Sequence, residues 1–227
     1  MSLTKNYLTG IKVLSFLIFL IILVHCSDGK TIKKNSNDAA GVKTDSSYLF
    51  NGRSLDGWEI TNFGPQGPVN VSGDQIILGM GDGCTGITWK GSFPETDYEV
   101  NLDARRVAGN DFFCGITFPV RKSYCSLIVG GWGGATVGLS SVEGKDAAEN
   151  ETTLIRNFET GRWYHIRLVV TDDFIKSWID SDKVVDFRIG TKKLSIRPEV
   201  ELSRPFGIAS WNTTAALRNI RMQRKNY

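Results

Sequence analysis

Histidine is the scarcest informative residue in this chain, with two among 227: His25 and His165. His25 falls in an apolar amino-terminal run, which leaves one imidazole for everything that follows. A three-histidine zinc centre and an H-E-x-x-H helix are therefore excluded. A Ser-His-Asp triad has only His165 to draw on, and that residue lies inside the strand-like run WYHIRLVV. Charge of one sign is equally thin. The formal charge is +3, Lys5 and Lys12 sit in a leader without acids, and residues 26–227 carry about +1. No block of like charge interrupts the folded part, whereas nucleic-acid binding needs a basic stripe, so nucleic acid is not an expected partner. Proline is sparse at 6 and glycine plentiful at 24, a balance that favours short strands joined by tight turns.

The one long apolar run is Val13 to Val24, VLSFLIFLIILV. Twelve residues suit the core of a signal peptide and fall short of the roughly 20 that span a bilayer. The run ends Leu23-Val24-His25-Cys26, followed by Ser27 and Asp28. That ending resembles a bacterial lipobox, in which the cysteine is lipidated and becomes the new amino terminus; His25 departs from the small residue usual there. The expected chain is an exported lipoprotein, periplasmic or at the cell surface, held to the membrane by a lipid on Cys26. Its leader spans 1–25, a polar tether 26–47 and one folded domain 48–224.

From Tyr48 onward short apolar runs alternate with turn clusters. YEVNLDARRV puts Tyr98, Val100, Leu102 and Ala104 on one face and Glu99, Asn101, Asp103 and Arg105 on the other. Strand-like runs recur about every ten residues and no helical period persists, which predicts an all-β antiparallel sandwich or jelly roll. The meander GRWYHIRLVVTDDFIKSWIDSDKVVDF, turning at Thr171-Asp172-Asp173 and Asp180-Ser181, marks it as concanavalin-like; turn chemistry accounts for those acids before calcium does. Pairing FFCGITF with YCSLIVGG about the turn from Pro119 to Lys122 would set Cys114 opposite Cys125. A cross-strand disulfide is therefore expected in an oxidising compartment, with two buried thiols as the alternative.

The opening YLFNGRSLDGWEI and the end GIASWNTTAALRNIRM resemble the two end motifs of the 3-keto-disaccharide hydrolase family, and the likeness runs from about Tyr48 to Met222. The resemblance implies a jelly roll that acts on, or binds, glucosides oxidised to a ketone at carbon 3. Such a ketone acidifies the proton at carbon 2, so the glycosidic bond can break by elimination followed by hydration. That chemistry needs a base near carbon 2, a donor or metal on the ketone oxygen and an acid at the leaving oxygen. Carboxylates and an arginine supply all three. No cofactor is fixed by the pattern, and a divalent metal is one way to supply the electrophile.

Three clusters are candidates. The loop GKDAAENET offers Asp146, Glu149 and Glu151 as catalytic acids beside Asn150, or is a solvated loop. Glu199 and Glu201 would share one face if Val200 lay in a strand, although Pro198 and Pro205 suggest an edge or turn. The polar face carrying Arg105, continued to Asn110 and Asp111, is either a ligand surface or solvent. Trp132, bracketed by glycines in GGWGG, and Trp211, beside Asn212, are sugar platforms or core rings; Trp58, Trp163 and Trp178 read as core. Arg105, Asp111, Trp132, Trp211 and Asn212 are the expected substrate contacts. Larger relatives carry a glutamate in a "GYE" strand where this chain reads YCSLIVGGW, so no catalytic role transfers there. The E-x-D-x-x-E of jelly-roll glucanases is missing as well. Two alternatives to the enzyme therefore stand: a non-catalytic surface module that binds glycan, and an adhesion domain with a broad apolar patch.

Overall fold

The computed structural model describes residues 46–225. The leader, Cys26 and the tether as far as residue 45 lie outside the described residues. Along the chain run β1 (Ser46–Tyr48), β2 (Trp58–Ile60), β3 (Val69–Ser72), β4 (Gln75–Leu78), β5 (Cys84–Trp89), β6 (Tyr98–Gly109), β7 (Cys114–Val120) and β8 (Ser123–Gly131). They continue with β9 (Thr136–Ser140), β10 (Leu154–Ile155), β11 (Tyr164–Val170), β12 (Phe174–Ile179) and β13 (Asp182–Arg188). A single 3-10 turn of helix, Pro198–Ser203, precedes β14 (Gly207–Trp211) and β15 (Thr213–Arg224). No described helix is long and apolar enough to cross a membrane.

The strands form two antiparallel sheets, as the sequence pattern predicts for a concanavalin-like sandwich. The first has the order β13-β12-β11-β6-β15-β4-β3 with β1 against β15, and the second β10-β9-β8-β7-β14-β5-β2. The hairpin β14–β15 closes the chain, yet its two strands lie inside the two sheets, each with partners on both sides.

Alternation along β6 works as expected and extends one step further. Tyr98, Val100, Leu102 and Ala104 are buried, and so is Arg106, the next residue of inward parity. Tyr98 donates its hydroxyl hydrogen bond to the Pro119 carbonyl and so links the two layers. Around it Phe93 stacks on Phe206 with centroids 4.3 Å apart, and Trp58 meets Trp89 edge-on at 5.3 Å. Each large side chain buried this way contributes roughly 1.5–3 kcal/mol.

Two expectations are corrected. The Cys114–Cys125 disulfide is not formed. The β7–β8 hairpin turns at Arg121–Lys122, so Cys114 faces Val129 and Cys125 faces Phe118. An offset of four residues along a strand is about 13 Å, well beyond disulfide reach; both thiols are free and buried. Trp163 and Trp178 are not core rings. They sit on the outward face of the first sheet under arginines, with the Arg218 and Arg167 guanidinium carbons each 4.1 Å from the respective ring centre. For the Glu199–Glu201 segment the turn alternative holds, because Pro198 opens a short 3-10 turn there.

Candidate functional site

A cleft of about 270 Å³ opens on the outward face of the second sheet. Its floor comes from strand residues of outward parity: Ser126 on β8, Ser140 on β9 and Cys84 on β5. Segments laid over the sheet make the walls. On one side the loops after β6 and β8 bring Asp111, Phe112 and Trp132, and Trp211 arrives at the end of β14. On the other side Arg197, Glu199 and Val200 approach from the 3-10 turn.

The aromatic wall is built on Arg106, which sequence reasoning passed over. Its guanidinium is buried without a carboxylate partner and donates instead to main-chain carbonyls: Gly134 at 2.9 Å, Asp111 at 3.2 Å, Gly130 at 3.3 Å and Phe158 at 3.5 Å. One side chain thus ties the Asp111 loop to the Trp132 loop. Burial pulls its pKa down, and the Asp111 charge opposes that. The glycines of GGWGG serve this arginine more than they serve the indole. A Cβ on Gly130 would come within 2.8 Å of the Arg106 guanidinium and one on Gly134 within 3.2 Å, and both glycines have φ in the left-handed region, +79° and +106°. An arginine at the inward parity of a strand is the sequence signal that would have found it.

Asp111 braces the same wall. Its carboxylate accepts the Phe112 amide at 2.7 Å and the Gly133 amide at 3.3 Å, while its own amide donates to Thr213 Oγ1 at 3.0 Å. Trp132 stands 44% exposed at the rim with φ +46°. Trp211 lies 6.5 Å from Phe112, ring centre to ring centre, and its amide donates to the Phe112 carbonyl at 3.0 Å. Asn212 fastens this corner through its side-chain oxygen, which accepts the Gly83 amide at 2.7 Å.

The opposite wall is charged. Arg197 binds Glu199 at 2.8 Å and also pairs with Asp146, whose other oxygen faces Ser140 Oγ at 3.4 Å. The Arg197 bond holds the Glu199 carboxyl below its ordinary value of 4.5 although partial burial works the other way. Cys84 is a neutral thiol at neutral pH: burial, then the Glu199 charge, push it up to about 12.

Of the acids expected to be catalytic, only Asp146 reaches the cleft, and it does so through Arg197. Glu149 is exposed on the loop beyond, and Glu151 pairs with Lys192 in a separate shallow basin. Asn150 organises that loop, donating to the carbonyls of Leu139 (2.7 Å), Lys145 (3.1 Å) and Asp146 (2.6 Å). Arg105 lies on the other sheet altogether. It extends from the outward face of β6, where its Nη2 donates to Gln75 at 3.0 Å. Asp111, Trp132 and Trp211 come together in the cleft, where Glu199 and Val200 of the second candidate cluster join them, and Arg197 and Phe112 are residues that no sequence pattern singled out. Among the described residues no three His, Cys, Asp or Glu side chains are grouped so as to hold a metal ion.

These features define a concanavalin-like jelly roll with an aromatic and ionic cleft on one outward sheet face. Solved structures of the same fold include the apo Crh5 transglycosylase (TM-score 0.56, 14% identity, 81% of this chain and 85% of that one). The non-specific endo-beta-1,3(4)-glucanase SCLam of family GH16 is similar too (TM-score 0.53, 10% identity, 81% and 91%). So is the carbohydrate-binding module CBM66 from Bacillus subtilis (TM-score 0.50, 16% identity, 78% and 99%). Such identities establish the fold. No curated protein matches the chain in sequence. The model of the 3-keto-alpha-glucoside-1,2-lyase-like domain matches residues 45–223, and the chain belongs to that carbohydrate-related family.

Proposed function

We propose that this protein binds 3-keto-glucosides in the cleft and cleaves them by elimination followed by hydration. The observation that carries the reading is the pairing of Arg197 and Glu199 across from Trp132 and Trp211, in a chain of a 3-keto-glucoside lyase-like family. The indoles offer flat faces to the C–H side of a sugar ring. Arg197 is the donor to the ketone oxygen, where negative charge develops as carbon 2 loses its proton. Glu199 takes that proton, the electron pair forms the carbon 1–carbon 2 double bond, and the glycosidic oxygen leaves. The now protonated Glu199 returns the proton to that oxygen, so a single carboxylate serves both halves of the elimination. Water then adds across the double bond.

Incubation of the full chain with an α-linked 3-keto-disaccharide tests this directly. The expected result is release of the free sugar, with one deuterium at carbon 2 of the keto product when the reaction runs in heavy water. The unoxidised disaccharide should remain intact. Product without deuterium at early times would point to direct hydrolysis, and absence of cleavage with or without added divalent metal would refute the enzyme. One observation favours a non-catalytic glycan-binding module instead: the floor presents two serines and a neutral thiol but no carboxylate. Glycan retention that is lost in Trp132→Ala and Trp211→Ala, without turnover, would establish that alternative.

The apolar run before Cys26 supports a site of action outside the cytoplasm, with the chain held to the membrane by lipid. Metabolic labelling with a fatty-acid probe is expected to mark the chain and to be abolished by Cys26→Ser. Undiminished labelling of that variant would refute the anchor.

A further inference from the structure

The described residues are electrically balanced, with 21 bases and 21 acids, but the balance is divided between the two halves of the sandwich. Once the inward Arg106 is set aside, the strands of the first sheet carry eight bases against four acids (Glu99, Asp103, Asp182 and Asp186). The remaining described residues hold the compensating excess of acid. Most acids on this face each meet two side-chain partners. Glu99 meets Arg167 and Lys225, at 3.2 Å and 3.1 Å, and Asp103 meets His165 and Arg218, at 2.8 Å and 3.3 Å. Asp186 pairs with both Lys176 and Lys183. Towards β12 and β13 the loop acids Asp97, Asp172 and Asp173 share a basin with Arg167, Lys176 and Lys183, so the uncompensated bases lie on β6 and β15, at Arg105, Arg218 and Arg221.

At the centre of that face two guanidiniums lie over one indole. The Cζ of Arg105 is 4.7 Å and that of Arg218 4.1 Å from the Trp163 ring centre. Stacking fixes the planes of both groups. Arg218 spends only Nε, on Asp103, and Arg105 only Nη2, on Gln75. The other Nη groups make no bond among the described residues, and exposed Arg221 follows on the same strand. Two oriented guanidiniums with unused donors match the paired oxygens of a carboxylate.

We infer that this face is a second glycan site, separate from the cleft and independent of its chemistry, which takes a carboxylate-bearing polysaccharide such as a polyuronate. Charge complementarity and the indole behind the two guanidiniums favour this occupant. Interspersed acids break the continuous basic stripe that a nucleic acid needs. A lipid surface would be met by exposed apolar side chains, and on the strands of this sheet only Tyr48 and Val107 are large, apolar and exposed. Binding here would leave the cleft, on the opposite side of the sandwich, open to substrate.

Affinity electrophoresis of the full chain in gels containing polygalacturonate tests the proposal, with neutral dextran as the control. Retardation is expected in polygalacturonate only and should fade as salt rises. The R105Q/R218Q variant should bind at least tenfold more weakly, the exposed substitution Arg221→Glu should also weaken binding, and Trp132→Ala should leave it unchanged. Equal retardation of the Arg105, Arg218 and Arg221 variants would overturn the site, as would no retardation of the parent chain. Tighter binding to dextran sulfate, to single-stranded DNA, or to anionic over zwitterionic vesicles would overturn the assignment to a polyuronate.

Discussion

Replacing Arg106 with leucine is expected to lower the unfolding free energy by roughly 3–5 kcal/mol and to abolish glycan retention in the cleft. The guanidinium satisfies the carbonyls of Gly134, Asp111, Gly130 and, at longer range, Phe158. Leucine leaves those acceptors buried without donors, and each orphaned group costs on the order of 1–3 kcal/mol. Part of that cost is offset, because Arg106 has no carboxylate partner and its own desolvation disappears with it. For a domain of this size the loss amounts to a melting temperature lower by roughly 10 °C. The functional loss follows from geometry: Asp111 and Trp132 sit on two different loops, joined by the long Asp111–Gly133 bond and by the bonds of Arg106 to both. Arg106→Lys keeps the charge but has one nitrogen where the guanidinium reaches several carbonyls, so it should recover part of the stability and little of the binding. Thermal unfolding and native-gel retention of both variants check this. A leucine variant as stable as the parent would mean that water or rearranged loops satisfy those carbonyls.

The architecture was legible because strand parity and turn chemistry are local. Alternation in YEVNLDARRV, the Asp-Ser turn of the β12–β13 hairpin and the family motifs at both ends all map onto the sandwich as expected. The cleft was half legible. Trp132, Trp211 and Asp111 stood out through composition and context, whereas Arg197 and Glu199 depend on where a covering segment settles on the sheet, which no periodicity encodes. Arg105 illustrates the limit. Its parity is legible in the sequence, but which outward face holds the cleft is decided by loop packing across the fold. A net charge near zero does not show how charge is divided, and here bases exceed acids on the strands of the first sheet and acids exceed bases elsewhere.

The second large effect is expected at Glu199. Changing it to glutamine should lower kcat on a 3-keto-disaccharide by a factor of about 10² to 10⁴, the range that a positioned acid–base group contributes, with KM little altered because the amide keeps the shape of the carboxyl group. The bond from Arg197 holds the Glu199 carboxyl below 4.5, so the base is ionised at neutral pH and activity should fall only as pH drops beneath that value. Arg197→Met removes the bond that depresses the carboxyl and also the donor to the ketone, so its acid limb should move upward while its kcat falls. The ion pair also links pH to stability, with a determined sign. A depressed carboxyl stabilises the fold above its unfolded value and loses that contribution as pH falls through the folded one; the partly exposed position keeps the effect small. Glu201 is the control. It pairs with Arg204 and does not line the cleft, so Glu201→Gln should leave kcat and the acid limb unchanged. A Glu199→Gln variant with parental kcat would remove Glu199 from the role of base and redirect attention to Asp146, the next carboxylate along the same arginine.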